Sequence, residues 1–279
     1  MAETEATKVA DHAAFEAEHS EPLRVMARVG FAVLGLLHVL IGVLAISVAT
    51  HSGGGEVDQS GAMRDLASTP AGDIVLWVVV AGLAALGVWQ TVQTILVPAP
   101  NPEKKWLHRI TEFSKAVVYF ALGVSGFVIA AGSHRNTAKS TSHESASVLA
   151  APGGVVLLVA VGLGVLAVGV FFVFRGVTTK FTKDIRRPSG FWGDLVVSVG
   201  IVGYVAKGVA LGIVGVLVIV GAVTDEPSKA NGLDGALKSL VHLPFGDVLL
   251  IVIGIGLIAY GVYCGARAAL AKLQTGGRD

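Results

Sequence analysis

A chain of 279 residues that is 53% hydrophobic and only 15% charged cannot clothe a water-facing surface of ordinary polarity, for which about a quarter of residues carry charge. Twenty-one lysines and arginines against 20 aspartates and glutamates leave a net charge of +1, which excludes the strong positive field that draws nucleic acid. The single cysteine, Cys264, excludes an intramolecular disulfide and a thiolate metal cluster.

The first 21 residues carry six acidic groups and few large apolar ones, so residues 1–21 are expected to form a flexible acidic cytoplasmic tail and not a signal peptide. Uncharged runs then cover 29–55, 74–102, 116–134, 145–174 and 248–266, each of about the 20-residue length that crosses a hydrocarbon core. They predict spans at 25–49, 74–96, 110–132, 155–178, 195–222 and 247–269, the fifth interrupted by Lys207 alone. Runs so continuously apolar are helical rather than the alternating strands of a barrel. The expected fold is therefore all-α, a polytopic membrane bundle of six transmembrane helices. The N-terminal segment, the 97–111 and 175–193 loops and the C-terminal tail hold 14 lysines and arginines against 5 in the opposite loops, which places both termini in the cytoplasm.

A unit recurs three times along this chain. Pro70-Ala71-Gly72, Pro152-Gly153-Gly154 and Pro244-Phe245-Gly246 precede the even-numbered spans. Offsets of 82 and 174 residues superimpose them, and also bring Gly82 onto Gly164 and Gly256, and Gly87 onto Gly169 and Gly261. The odd-numbered spans align at offsets of 81 and 173, with Gly42 on Gly123 and Gly215 and with Lys115 on Lys207. The units are helical hairpins over 22–97, 105–180 and 192–272, followed by a tail at 273–279. All enter the membrane from one side, so parallel repeats in a ring of pseudo-threefold symmetry are expected.

Ala27-Arg28-Val29-Gly30-Phe31, Gly203-Tyr204-Val205-Ala206-Lys207-Gly208, Gly235-Ala236-Leu237-Lys238-Ser239-Leu240 and Pro244-Phe245-Gly246 resemble a bacterial, largely actinobacterial membrane family known as domain of unknown function 1206. Its members carry three tandem two-helix repeats. The resemblance runs from about residue 22 to 272 and is weakest in the middle repeat, where Thr111 replaces a glycine and Glu112 an aromatic. It implies an inner-membrane location and brings no activity with it.

Glycine accounts for 36 residues, and within spans its expected use is close helix approach, as in Gly208-Val209-Ala210-Leu211-Gly212 and Gly261-Val262-Tyr263-Cys264-Gly265. The P-x-G elements read as helix starts, with proline in the first turn. The groups that break the pattern are ionisable ones inside spans. Lys115 and Lys207 lie about five residues into theirs, within snorkelling reach of the headgroups. One turn further along the same faces stand His38, Tyr119 and Leu211. If those faces meet, Lys115, Lys207, Tyr119 and His38 form a cytoplasm-facing vestibule for an anion or a lipid phosphate, with Glu112 pairing with Lys115.

No catalytic motif, cofactor cradle or metal-ligand spacing is found, and His51, His134, His143 and His242 read as solvated loop residues. The short Gly-Ala-Met-Arg type segments of the outer loops read as interfacial helices on the outer leaflet. The function expected is that of a non-enzymatic membrane protein, an assembly partner of a membrane complex or a lipid-organising element. The alternative is a small-solute or ion pathway.

Overall fold

In the computed structural model, which describes residues 21–50, 56–96, 102–132, 137–226, 232–241 and 243–271, the described residues form nine α-helices. Six are long and apolar enough to cross a membrane: α1 (Glu21–Ala49), α3 (Gly72–Leu96), α4 (Pro102–Ala130), α6 (Gly154–Val177), α7 (Phe191–Val223) and α9 (Gly246–Leu270). Three short helices, α2 (Gln59–Ala67), α5 (Thr137–Leu149) and α8 (Gly232–Leu240), cap one end of the bundle, the lid end. The opposite, basic end carries a 3-10 turn at Lys180–Asp184. Both terminal tails, with His51, His134 and His242, lie outside the described residues, and His143 is exposed.

Each lid helix meets the next span at the P-x-G element. The middle residue is left-handed in every copy, with φ of 64° at Ala71, 79° at Gly153 and 61° at Phe245. The glycine after it donates its N–H to the carbonyl three residues back, at 2.9 Å in all three. A Cβ on Gly72, Gly154 or Gly246 would fall 1.7, 1.8 and 1.7 Å from the carbonyl oxygens of Leu66, Val148 and Leu240. The proline thus stands before the helix instead of in its first turn, and the motif is a tight reversal that only glycine can complete. Gly246→Ala is expected to collapse the folded yield of detergent-extracted protein on size exclusion. Ala71→Gly, which relieves left-handed strain of about 1–2 kcal/mol, should hold or raise it. Equal yields from the two would refute this account of the turn.

The most extensive packing joins successive repeats: α3 lies against α4, α6 against α7, and α9 against α1. On α1 and α9, Gly35 faces Gly261 and Gly42 faces Gly254, so closely that a Cβ on any of them would sit 2.5–2.8 Å from the opposing carbonyl oxygen. The repeat-equivalent pairs Gly208 with Gly169 and Gly215 with Gly162 do the same between α7 and α6, at 2.6–2.9 Å. The paired glycines are seven residues apart, two helical turns, which keeps them on one seam. The glycines four residues along are less constrained, since a Cβ on Gly265 would meet nothing within 4 Å and one on Gly212 only Leu166, at 3.9 Å, although their backbones line the same crossings opposite Gly35 and Gly169. Between α3 and α4, Ala116 and Val80 replace two of the four glycines, and Gly123 is correspondingly looser, its nearest neighbour at 3.7 Å.

Within repeats, α1 packs on α3 and α7 on α9, whereas α4 and α6 make no extensive contact. Gly82 meets Val33 and Gly256 meets Ala206, but their equivalent Gly164 faces nothing within 4 Å.

The bundle interior toward the lid end is an aliphatic core built from residues such as Leu37, Ile41, Leu83 and Ile253. Ala62 and Met63 of α2 and Leu237 and Leu240 of α8 are buried in this same core. Helices α2 and α8 therefore turn their apolar faces into the bundle, against residues of four spans, and not outward onto the leaflet as the sequence suggests. Polar groups fasten them: Asp234 accepts the Val57 N–H at 2.6 Å and an ion pair from Lys238 at 2.9 Å, and Asp58 caps α2 through the Gly61 N–H at 2.8 Å. Burial, together with the neighbouring Glu56 and Asp234 carboxylates, pushes the Asp58 carboxyl above its ordinary range, against the opposing pull of its cap hydrogen bond.

Candidate functional site

The basic end differs in kind from the lid end. Phe172 (α6), Tyr204 (α7), Tyr260 and Tyr263 (α9) and Phe181 of the 3-10 turn stack into one aromatic cluster: Phe172 lies 5.5 Å and Phe181 4.9 Å from Tyr204, centroid to centroid. Close approach makes this possible. A Cβ on Gly200 would be 2.4 Å from the Phe181 ring, and one on Gly203 would be 2.5 Å from the Tyr260 backbone.

Lys207 projects into this cluster. Its Nζ stands 4.2 Å from the Tyr260 ring centroid and 4.9 Å from that of Phe172. Among the described residues no carboxylate lies within ion-pair distance of it. The ring faces solvate the ammonium by their quadrupoles, which an anion can supplement without displacing a partner. His38, fully packed on α1, holds its Nδ1 2.7 Å from the Leu34 carbonyl and its ring 4.7 Å from Tyr260, within electrostatic range of Lys207. Tyr119, half-buried on α4, packs against the same cluster, with Arg267, Cys264 and Glu112 as its electrostatic neighbours.

Two arginines complete the ring of charge. Arg175, the last-turn cation of α6, pairs with Asp184 and lies 5.9 Å from the Tyr204 ring. Arg267, the last-turn cation of α9, is 3.5 Å from the same carboxylate and 4.2 Å from the Phe31 ring. The Nε atoms of both are buried and without a hydrogen-bond partner among the described residues. Two of the three cations thus share one carboxylate and Lys207 has none, so Lys207, Arg175 and Arg267 against Asp184 leave two positive charges in excess.

Of the four residues singled out from sequence, His38, Tyr119 and Lys207 are brought to this cluster. Lys115 is not: it is exposed, with Nζ 2.7 Å from Glu112, which also accepts from Gln90. Arg175, Arg267, Asp184 and the aromatic stack are the residues that sequence reasoning missed. A signal existed for the arginines, because an offset of 92 places Arg175 on Arg267, and the matching position in the first repeat is Gln93. Each arginine lies over the aromatic of the next repeat's first span, Arg175 over Tyr204 and Arg267 over Phe31. Where the middle repeat has Glu112 in place of that aromatic, the first repeat has Gln93 in place of the arginine, and Gln90 donates a hydrogen bond to Glu112.

The family described as Domain of Unknown Function (DUF1206) matches the chain three times, over residues 29–96, 112–179 and 202–271, in agreement with three tandem units. A relative from Bacillus subtilis (strain 168), described as "Uncharacterized protein YxxB", is 29% identical over 247 residues, covering 86% of this chain and 88% of the relative. No solved structure matches it.

Proposed function

Because this chain belongs to the Domain of Unknown Function (DUF1206) family, whose description assigns no activity, we propose its role from the geometry of the basic end. It is a non-enzymatic, lipid-organising protein of the bacterial plasma membrane, with both termini in the cytoplasm, that holds a phosphate-bearing anion among Lys207, Arg267 and Arg175. The observation that carries this reading is Lys207 over two aromatic rings with no carboxylate partner, beside two arginines that share Asp184. A charge held at membrane depth is unfavourable by about 2.5–3.5 kcal/mol or more, and a bound anion offsets it.

The aliphatic core beneath the lid favours this reading over a solute pathway, which needs a polar lining from end to end. The bias of lysine and arginine toward the loops at the basic end supports the cytoplasmic orientation, where anionic headgroups meet polybasic surfaces.

The test is native mass spectrometry of full-length protein with phosphatidylglycerol. Lys207→Met is expected to lower retention about tenfold, the equivalent of one charge-assisted hydrogen bond. Lys115→Met, whose charge Glu112 already balances, should stay within about twofold of the parent. Parental retention by Lys207→Met would end the proposal.

A further inference from the structure

Repeat 2 is open where repeats 1 and 3 are closed, and the opening can be followed residue by residue. In repeat 1, Leu37, Val79 and Leu86 are 0%, 1% and 0% exposed between α1 and α3. Their equivalents in repeat 3, Ala210, Ile253 and Tyr260, are 2%, 2% and 4% exposed between α7 and α9. The same three positions in repeat 2, Val118, Val161 and Val168, are 54%, 48% and 47% exposed.

The cause lies at the basic end of the hairpin. Closure there requires a glycine on the first span: a Cβ on Gly30 would come 2.1 Å from Leu86, and one on Gly203 would come 2.5 Å from Tyr260. Repeat 2 has Thr111 at that position, so its first span cannot approach as closely, and Gly164 is left facing open space. What remains is a lateral seam between α4 and α6, apolar on its α6 wall over the two turns from Val161 to Val168, or roughly 10 Å at 1.5 Å per residue, and lined on its α4 wall by Val118.

The seam does not end blindly. On its α6 side Phe172 lies beneath Lys207, and on its α4 side Tyr119 packs against the same aromatic cluster. An apolar slot open to the side that leads inward to unbalanced positive charge matches one molecule in both its parts: an acyl chain along the slot and an anionic head beyond it. We infer that the α4/α6 seam is the acyl-chain slot of an anionic phospholipid whose phosphate lies at Lys207. This rests on the anion site proposed above and names its ligand as a tailed lipid, not free phosphate. The open hairpin of the middle repeat is then a specialised side entrance from the leaflet, and the two closed hairpins are walls.

The test separates the slot from the anion site. Full-length protein carrying Gly164→Phe with Val168→Trp, both at positions with room for the added volume, is compared with Lys207→Met. Phosphatidylglycerol retention is read by native mass spectrometry, and inorganic phosphate binding by phosphorus NMR titration. The filled seam is expected to lower lipid retention about tenfold and to leave phosphate binding unchanged, whereas Lys207→Met should lower both. Parental lipid retention with the seam filled overturns the slot while leaving the anion site standing. Parental behaviour of Lys207→Met overturns the anion site itself. Loss of a co-purifying protein or of a dimer from the filled-seam variant, with lipid retained, also overturns the slot, by making the seam a protein interface. If the filled-seam variant fails to fold, Val118→Trp in the otherwise native chain decides. Its fluorescence should be quenched more by phosphatidylglycerol brominated on its acyl chains than by phosphatidylcholine brominated in the same way, and equal quenching by the two overturns the proposal.

Discussion

Gly261→Leu should leave little folded protein after mild heating in detergent, whereas Gly164→Leu should melt with the parent. The two glycines belong to the same repeat pattern and both lie inside spans, so composition and hydropathy treat them alike. Their surroundings do not. A Cβ at Gly261 would stand 2.5 Å from the Gly35 carbonyl oxygen and 2.7 Å from Val39, while one at Gly164 meets nothing within 4 Å. The obstruction at Gly261 is backbone, which cannot rotate away, so α1 and α9 must separate along the whole crossing. Overpacking a core by a few methylenes typically costs about 1–3 kcal/mol, and forcing two helices apart lies at the upper end or beyond. Gly123→Ala, with its nearest neighbour at 3.7 Å, should resemble Gly164→Leu and not Gly261→Leu. Coincident melting of Gly261→Leu and the parent, by size exclusion after a temperature ramp, would refute the crossing as the main tie between the first and last spans.

Asp184→Asn is expected to move two properties in opposite directions. Among the described residues Asp184 is the one carboxylate paired with Arg175 of α6 and Arg267 of α9, and its own segment is strapped down by Phe181 under Tyr204 and by the Arg186 N–H to the Leu270 carbonyl at 2.7 Å. Neutralising it removes two charge-assisted contacts, each worth about 1.5–3 kcal/mol at most for groups this partly solvated, and sets two arginines against each other. Thermal stability in lipid-free detergent should fall, and less so at high salt, since the groups are only half-buried. Phosphatidylglycerol retention should rise severalfold, because both guanidiniums are then unopposed. A purely structural aspartate predicts lower stability with unchanged or lower retention. That outcome would remove the arginines from the proposed anion site.

The spans were legible because a bilayer demands about 20 consecutive residues without charge, and nothing else in a chain of this length mimics that. Lys207, His38 and Tyr119 were legible for a related reason: polar groups inside such runs are few, and the repeat register puts them on one face. Arg175 and Arg267 escaped because at the ends of spans they count as ordinary flanking charges. Only their equivalence at an offset of 92, together with the aromatic that each covers, separates them from the rest. The departures at Thr111 and Glu112 were visible in the sequence, but their consequence was not. Whether a threonine in place of a glycine merely perturbs a hairpin or opens it depends on a distance of about 2 Å to the opposite helix. The lid helices were misjudged on the same ground, since an amphipathic segment of nine residues reads alike whether its apolar face meets lipid or a hollow in its own bundle.

Because the most extensive packing runs between repeats and returns from α9 to α1, no hairpin is a finished object when it leaves the ribosome. Gly35 finds its partner at Gly261 only after more than two hundred further residues have been made and four intervening spans inserted. Until then α1 exposes a glycine-lined groove to the bilayer. Assembly of this protein is therefore a clasp that shuts on its last element, and its slow step is expected to be the meeting of the chain's two ends and not the formation of any one helix.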